Sequence, residues 1–431
     1  MAQVNVRKRG KKWEYRFEAA KVGGTRKQIS KGGFETKKEA MVAGVKELAK
    51  YNEAGLAFQP STISVADYFD YWLETYCKHN VSDSTYSVYY RITSKHIVPA
   101  IGMYALKTVS TSTLQQLIND IYVQYGFKKS YMKNILKVLK GSFKYAYVTA
   151  GFIGTNPADN VTLPKMNASS NPEDIIVLNP SQVKEILERF ENSPYQYYAL
   201  LTAYYTGLRV SEVYGLTWDC IDFANKTITV NKIAKKIEKE GKTSEGKVIR
   251  GVRGSATTRW YFGECKTESS YRTIYISDDL VKALRKYKLI QDKNKLLYGE
   301  YYQEHYIKKE KSPTNKDVQR IISMPRMEFD IPLEQTYPVF VKENGEFHGT
   351  DSMKYPSKVI NYELNIRFNF HALRHTHATM LIEAGTPVKT VSERLGHGNV
   401  RTTLETYVHV TQSMELDAVT RFDSFAGLNI S

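Results

Sequence analysis

The chain has 431 residues, which at roughly 100–200 residues per domain makes two to four domains, and its 61 lysines and arginines against 45 acidic residues leave a formal charge of +16. That excess points to a polyanionic partner, nucleic acid ahead of an anionic membrane surface, while 42% hydrophobic and 25% charged residues exclude wholesale disorder and a collagen-like fibre. Three scattered cysteines, Cys77, Cys220 and Cys265, exclude a disulfide framework and a cysteine-based zinc site, and with no long apolar run and no apolar segment behind the charged start, neither a membrane span nor a signal peptide is expected.

Residues 1–50 hold 14 lysines and arginines against 5 acidic residues, so much of the excess charge is concentrated there. Three strand-like runs, VNVRKR (4–9), WEYRFEAA (13–20) and TRKQISKGGF (25–34), are separated by turns at Gly10-Lys11 and Gly23-Gly24 and followed by a helical pattern from Thr36 to about Ala54. The pattern predicts a three-stranded sheet with one helix packed on it, Trp13, Tyr15 and Phe17 alternating onto the covered face. Arg7, Lys8, Arg9, Arg16, Arg26 and Lys27 make this a basic ribbon suited to a DNA groove. A solvated basic sheet is the alternative.

Residues 64–160 carry 3.6-residue periodicity in four runs, 65–76, 82–98, 112–125 and 131–150, which predicts a helical bundle with caps at Ser64, Ser82 and Ser112 and ends at Gly102 and Gly126. Lys129, Lys133, Lys137, Lys140 and Lys144 step along the fourth helix at three- or four-residue spacing, either as a solvated face or as a row that tracks DNA phosphates. A polar stretch with Pro164 and Pro172 then reads as a linker.

From residue 176 the chain mixes helices (181–193, 195–207, 211–216) with strand-like runs at 227–233, 259–265 and 271–277. Residues 235–258 are expected to be a charged hairpin excursion and 298–350 a set of surface loops. The domains are therefore placed at 1–56, 62–162 and 176–431, a multidomain α+β chain.

Three boxes in this last domain carry chemistry. TGLRVSEVYGLTW (206–218) places Arg209 at a helix start with Glu212 on the same face. HALRHTHATMLIEAG (371–385) places His371 and Arg374 on one helical face, and LGHGNVRTTLETYVHV (395–410) sets His397 just past a helix end, ten residues before Tyr407. Lys266, in ECKTESSYRTI, is expected at a turn between two strands, free to swing into a cleft. Arginines can grip non-bridging phosphate oxygens bidentately and stabilise charge that grows in a transition state. Histidine and lysine can move protons, and tyrosine can form a covalent phosphoester. His371, His375 and His377 lack the carboxylate or cysteine that would complete a zinc set.

The set Arg209, Lys266, His371-Ala372-Leu373-Arg374, Leu395-Gly396-His397 and Tyr407 resembles the tyrosine recombinases, and the three-part layout is similar to the integrases of phages and conjugative transposons. The resemblance covers nearly the whole chain: residues 1–56, with GGFETKKEA (32–40), are like an arm-site-binding domain, the four-helix segment like a core-binding domain, and 176–431 like a mixed, mainly α catalytic domain. It implies that Arg209 and Arg374 hold the scissile phosphate, that Tyr407 attacks it to leave a 3′-phosphotyrosyl link and a 5′-hydroxyl, and that Lys266 is the general acid. It further implies that His371 and His397 position the phosphate and handle the tyrosine proton, with Glu212 bracing the site. No cofactor, neither ATP nor metal, is implied. The implied partners are double-stranded DNA at arm and core sites, a homotetramer on that DNA, and an excisionase or DNA-bending host protein; the implied location is the bacterial cytoplasm, on the nucleoid. Apolar Met414, Leu416, Val419, Phe422 and Phe425 in the tail either cap the chain's own domain or dock on a neighbouring subunit. A DNA-binding regulator without chemistry, a type IB topoisomerase and a metal-dependent nuclease are the competing readings.

Overall fold

The computed structural model describes residues 4–22, 25–53, 63–165, 175–237, 241–242, 248–249, 259–265, 267–327 and 331–407. The chain divides into two compact units, Met1–Asn80 with Thr85–Asn167, and Val81–Ser84 with Ala168–Ser431.

In the first unit, β1 (Asn5–Arg9), β2 (Lys12–Val22) and β3 (Thr25–Phe34) form an antiparallel sheet in the order β1-β2-β3, with α1 (Lys37–Glu53) following. Alternation along β2 buries Tyr15 and Phe17, each contributing about 1.5–3 kcal/mol by the usual transfer scale, and leaves Trp13 half-buried. Buried Glu14 pairs with Arg7 and, at 3.6 Å, with Arg9 from the adjacent strand.

Four helical stretches follow. α2 starts at Val65–Trp72 and runs on through a π turn to residue 80, and α3 starts at Asp83–Ile92 and reaches residue 101 the same way. α4 spans Thr111–Tyr125, and α5 starts at Lys129–Lys144 and continues to Thr149. Tyr68, Phe69, Trp72, Ile135, Leu139 and Phe143 are fully buried among them. Ser64 caps α2 by accepting from the Asp67 N–H. The expected cap at Ser112 is corrected: Ser110 has extended dihedrals and accepts from the Thr113 N–H, while Ser112 already lies inside the helix.

The second unit is built on α6 (Pro180–Arg189), α7 (Pro194–Thr206) and the short α8 (Val210–Val213), then β4 (Ile221–Asp222) and β5 (Thr227–Val230). β6 (Ile233–Ile237), a β7–β8 hairpin (Gly241–Lys242, Val248–Ile249), β9 (Arg259–Gly263) and β10 (Arg272–Tyr275) come next. They are followed by α9 (Asp278–Tyr298), β11 (Gln303–Lys311), β12 (Asp317–Pro325) and β13 (Glu334–Thr336). The chain closes with α10 (Lys354–Tyr362), α11 (Phe370–Glu383), α12 (Val388–Leu395) and α13 (Val400–Tyr407).

Two sequence expectations are overturned here. The run 227–233 is not one strand: β5 pairs in a β10-β5-β4 sheet, whereas β6 joins a second sheet in the order β13-β11-β12-β9-β6. Residues 298–350 are not simply loops, because β11 and β12 pair over nine residues each. The pairing hides in the sequence because QEHYIKKEK buries only His305, Tyr306 and Ile307 and leaves its charged end largely exposed, so no period-2 pattern develops. Leu200, Tyr214, Phe262, Leu284, Tyr287 and Phe340 sit in the hydrophobic core between these layers.

Candidate active site

Gly207 ends α7 in the left-handed conformation (φ +67°) and turns the chain into α8. Arg209 is the N-cap of α8, and its backbone N–H donates to Glu212 Oε2 at 3.0 Å while its guanidinium donates to Oε1 at 2.6 Å. Glu212 is 1% exposed. Its second partner is Arg272 on β10, whose Nη2 donates to Oε2 at 3.0 Å. Burial alone would favour the neutral acid, yet Arg272 and then Arg209 outweigh it and hold the carboxyl below the usual carboxylate range.

Asn369 caps α11 by accepting from the Ala372 N–H, which sets the phase that brings His371 and Arg374 to one side. Arg374 is 1% exposed, and donates to the carbonyls of Gly207 and Leu395, both at 2.8 Å. Gly396 ends α12 with φ +70°, its carbonyl accepts from Arg209 at 3.4 Å, and a Cβ there would lie 2.8 Å from Arg272 Nη1. His397 follows, its Nδ1 2.8 Å from Thr403 Oγ1 on α13. Desolvation, Arg374 and Arg209 lower the pKa of His397 to about 4; the same causes lower that of His371. Both shifts favour the neutral imidazole over the imidazolium.

Arg209, Glu212, His371, Arg374 and His397 are thus brought together from α8, α11 and the turn after α12. Two guanidiniums, Arg209 and Arg272, share the Glu212 carboxylate and a third, Arg374, is held by carbonyls, a local positive excess of the kind that receives an anion. His375 stacks edge-on against His371, ring centroids 5.0 Å apart, and among the described residues no three His, Cys, Asp or Glu gather as metal ligands. Lys266 lies outside the described residues; the strands flanking it, β9 and β10, belong to different sheets, so the expected hairpin turn is a crossover between sheets. The backbone of Tyr407 ends α13, and its side chain lies outside the described residues, as does the tail with Met414, Leu416, Val419, Phe422 and Phe425.

Sequence reasoning misses two arginines. Arg272 is in phase with buried Ile274 on β10 and with Ile276 just past its end, and a charged residue on the inward face of a strand marks a buried partner. Arg394 donates to His377 Nε2 at 3.0 Å and to the Tyr275 carbonyl at 2.9 Å, fastening α12 to α11 and β10.

Of the expected DNA contacts, Arg7, Lys8 and Arg9 are exposed on β1 and Arg16 is half-buried; the side chains of Arg26 and Lys27 lie outside the described residues. Lys133 and Lys137 are exposed on α5, whereas Lys140 donates to the Asp159 carbonyl at 3.0 Å. Among the described residues no helix is long and apolar enough to cross a membrane.

Residues 177–414 match the phage integrase family, 64–122 the phage integrase N-terminal SAM-like domain, and 5–43 an Arm DNA-binding domain. The chain is 26% identical over 390 residues to a protein named tyrosine recombinase XerC-like from Caldanaerobacter subterraneus subsp. tengcongensis, covering 89% of this chain and 87% of that protein. It is 24% identical to the ICEBs1 integrase of Bacillus subtilis, covering 90% of each. Its fold is similar to that of the Tn1549 transposon integrase, solved with transposon right-end DNA, at a TM-score of 0.58 and 21% identity over 83% of this chain and 99% of that one. Fold, site and sequence together define an enzyme that cleaves and rejoins DNA strands in site-specific recombination. The chain belongs to the phage integrase family, the tyrosine recombinases that integrate mobile DNA.

Proposed function

We propose that the chain integrates and excises a mobile element by transesterification through Tyr407, with no metal and no ATP. The observation that carries this is the gathering of Arg209, Arg374, His371 and His397 about the Leu395–His397 turn, with Glu212 ionised between Arg209 and Arg272. A preorganised positive site of this kind stabilises the charge on a pentacoordinate phosphate without a metal ion. The tyrosine oxygen bonds to phosphorus, the bond from phosphorus to the 5′-oxygen breaks, and Lys266 gives that oxygen its proton. The products are a 3′-phosphotyrosyl link and a 5′-hydroxyl. Attack by a partner strand's 5′-hydroxyl reverses the step, so the bond energy is kept and ATP has no part to play.

Arg209 keeps 32% of its side chain exposed, and Arg374 is 1% exposed. A phosphate therefore reaches Arg209 directly and Arg374 only after local rearrangement. His371 and His397, neutral near pH 7, take the tyrosine proton and position the phosphate, and Glu212 fixes the fork of Arg209. Arg7, Lys8, Arg9, Arg16, Arg26 and Lys27 bind arm sites, and Lys133, Lys137 and Lys140 track the backbone of core sites. A homotetramer on double-stranded DNA, aided by an excisionase or a DNA-bending host protein, carries out the exchange in the bacterial cytoplasm, on the nucleoid.

The test is covalent trapping with EDTA present, on a nicked duplex taken from the flanks of the gene, comparing wild type with Tyr407→Phe. Wild type is expected to give a denaturant-resistant protein–DNA band that the Phe variant loses while still binding DNA. An adduct that survives in the Phe variant places the nucleophile elsewhere.

A further inference from the structure

Arg272 has no role among the residues that the motifs single out, yet its guanidinium serves acceptors on three separate segments of the site. Its side chain is 8% exposed. Nε donates to the Arg394 carbonyl at 2.7 Å, Nη1 to the Ser270 carbonyl at 2.9 Å, and Nη2 to Glu212 Oε2 at 3.0 Å. These acceptors come from the last turn of α12, the Glu268–Ser270 turn, and α8. The Glu268–Ser270 turn also packs on the segment after α12: a Cβ at Gly396 would lie 2.9 Å from the Ser269 carbonyl oxygen, and one at Gly398 3.4 Å from Ser269 Oγ.

We propose that Arg272 is a positioning residue for strand cleavage: by bridging Glu212, Ser270 and Arg394 it holds both the carboxylate that orients Arg209 and the turn that presents His397. The inference rests on the transesterification reading above and adds to it a residue that acts through Glu212 and the Leu395–His397 turn. A planar fork with five N–H donors suits this task, since it serves three acceptors in fixed directions, and a lysine ammonium does not reproduce that geometry. The carboxylate in turn hydrogen-bonds Arg209, assigned to the phosphate, so loss of Arg272 reaches the reaction through Glu212 as well as through the turn.

That route gives the proposal its own observable. Glu212 is faced by Arg209 from the start of its own helix, Arg272 from β10, Cys265 from just beyond β9 and His371 from α11. Removing Arg272 leaves burial opposed by Arg209 alone, so the Glu212 pKa rises and the carboxyl takes up a proton as pH falls through the weakly acidic range.

The experiment measures single-turnover cleavage of the nicked flanking duplex by full-length protein between pH 5.5 and 8, alongside DNA binding. Arg272→Met is expected to bind DNA within about twofold of wild type and to cleave at least about tenfold more slowly at pH 7, an effect on the chemical step. Its rate is expected to fall further on acidification, and that extra pH limb should vanish in Arg272→Met combined with Glu212→Gln. Arg272→Lys, which keeps the charge without the fork, should cleave slowly with no new limb. Cleavage by Arg272→Met at the wild-type rate, a loss matched by lost DNA binding, or a limb that survives Glu212→Gln overturns the proposal. Should Arg272→Met not fold, the folded Arg272→Lys protein decides: slow cleavage with intact binding supports the proposal, and a wild-type rate overturns it. A wild type that gives no Tyr407-dependent adduct overturns the underlying reading and the proposal with it.

Discussion

Gly207 shows how a single residue shapes the site. Its φ of +67° disfavours any side chain, and a Cβ would lie 2.7 Å from Leu395 Cδ2 and 2.8 Å from His377 Cδ2. Both neighbours are packed, and the Gly207 carbonyl is an acceptor for Arg374. Gly207→Ala therefore combines left-handed strain with overpacking, a loss of about 2–4 kcal/mol. Urea unfolding of the variant should show a lower midpoint, with slower cleavage because Arg374 shifts along with its acceptor; an unchanged midpoint would show that the turn relaxes freely. Arg209, Glu212, His371, Arg374 and His397 were legible as residues because their spacing along short helical segments fixes their mutual phase. Arg272 and Arg394 were not, since their main acceptors are backbone carbonyls of residues 394 and 275, more than a hundred positions away in the chain, and carbonyls carry no sequence identity.

At the scale of elements, helix starts were readable to within a turn, and strand partners were readable in the N-terminal sheet but not in the second unit. Ser110 and Ser112 both precede apolar periodicity, and only backbone dihedrals separate them: Ser110 is extended and accepts from the Thr113 N–H at 3.2 Å. Ser110→Ala is expected to cost about 1 kcal/mol, and Ser112→Ala, an exposed change inside the first turn, under about 0.5 kcal/mol. Thermal unfolding that ranks the two variants the other way would return the cap to Ser112. The strands in 298–350 escaped the sequence for a different reason. β11 and β12 are long and charged, with register set by their own pairing and by β9 and β13 on either side, and such a hairpin has little alternation to read.

For the whole molecule, charge and pH govern behaviour. His305, His375, His377 and His397 each have a pKa lowered to about 4, chiefly by burial. In the unfolded chain they titrate near the ordinary value of about 6.5, so between there and pH 4 the unfolded state binds more protons than the folded one. Their contribution to stability is complete above pH 6.5 and is lost as pH falls toward 4. The melting temperature should decline steadily from pH 7 to pH 5; a flat or rising profile would contradict the neutral state of these rings. Arg374 and Arg209 beside His371 and His397 likewise disfavour an imidazolium at either ring.

Sequence alone carried the basic character, the sheet-plus-helix and four-helix segments, and the order of the three arginine- and histidine-bearing boxes, because each depends on composition or on periods of two and 3.6 residues within one segment. Tertiary structure alone decided that residues 227–233 are shared between two sheets and that Arg272 ties Glu212 to the turn before His397. It also decided that Arg374 is sealed against the Gly207 and Leu395 carbonyls. Strand pairing, like the anchoring of a buried arginine, matches backbone groups of segments far apart in the chain. Buried charges must find acceptors, and when those acceptors are backbone atoms of distant segments, only the folded path of the chain says where they are.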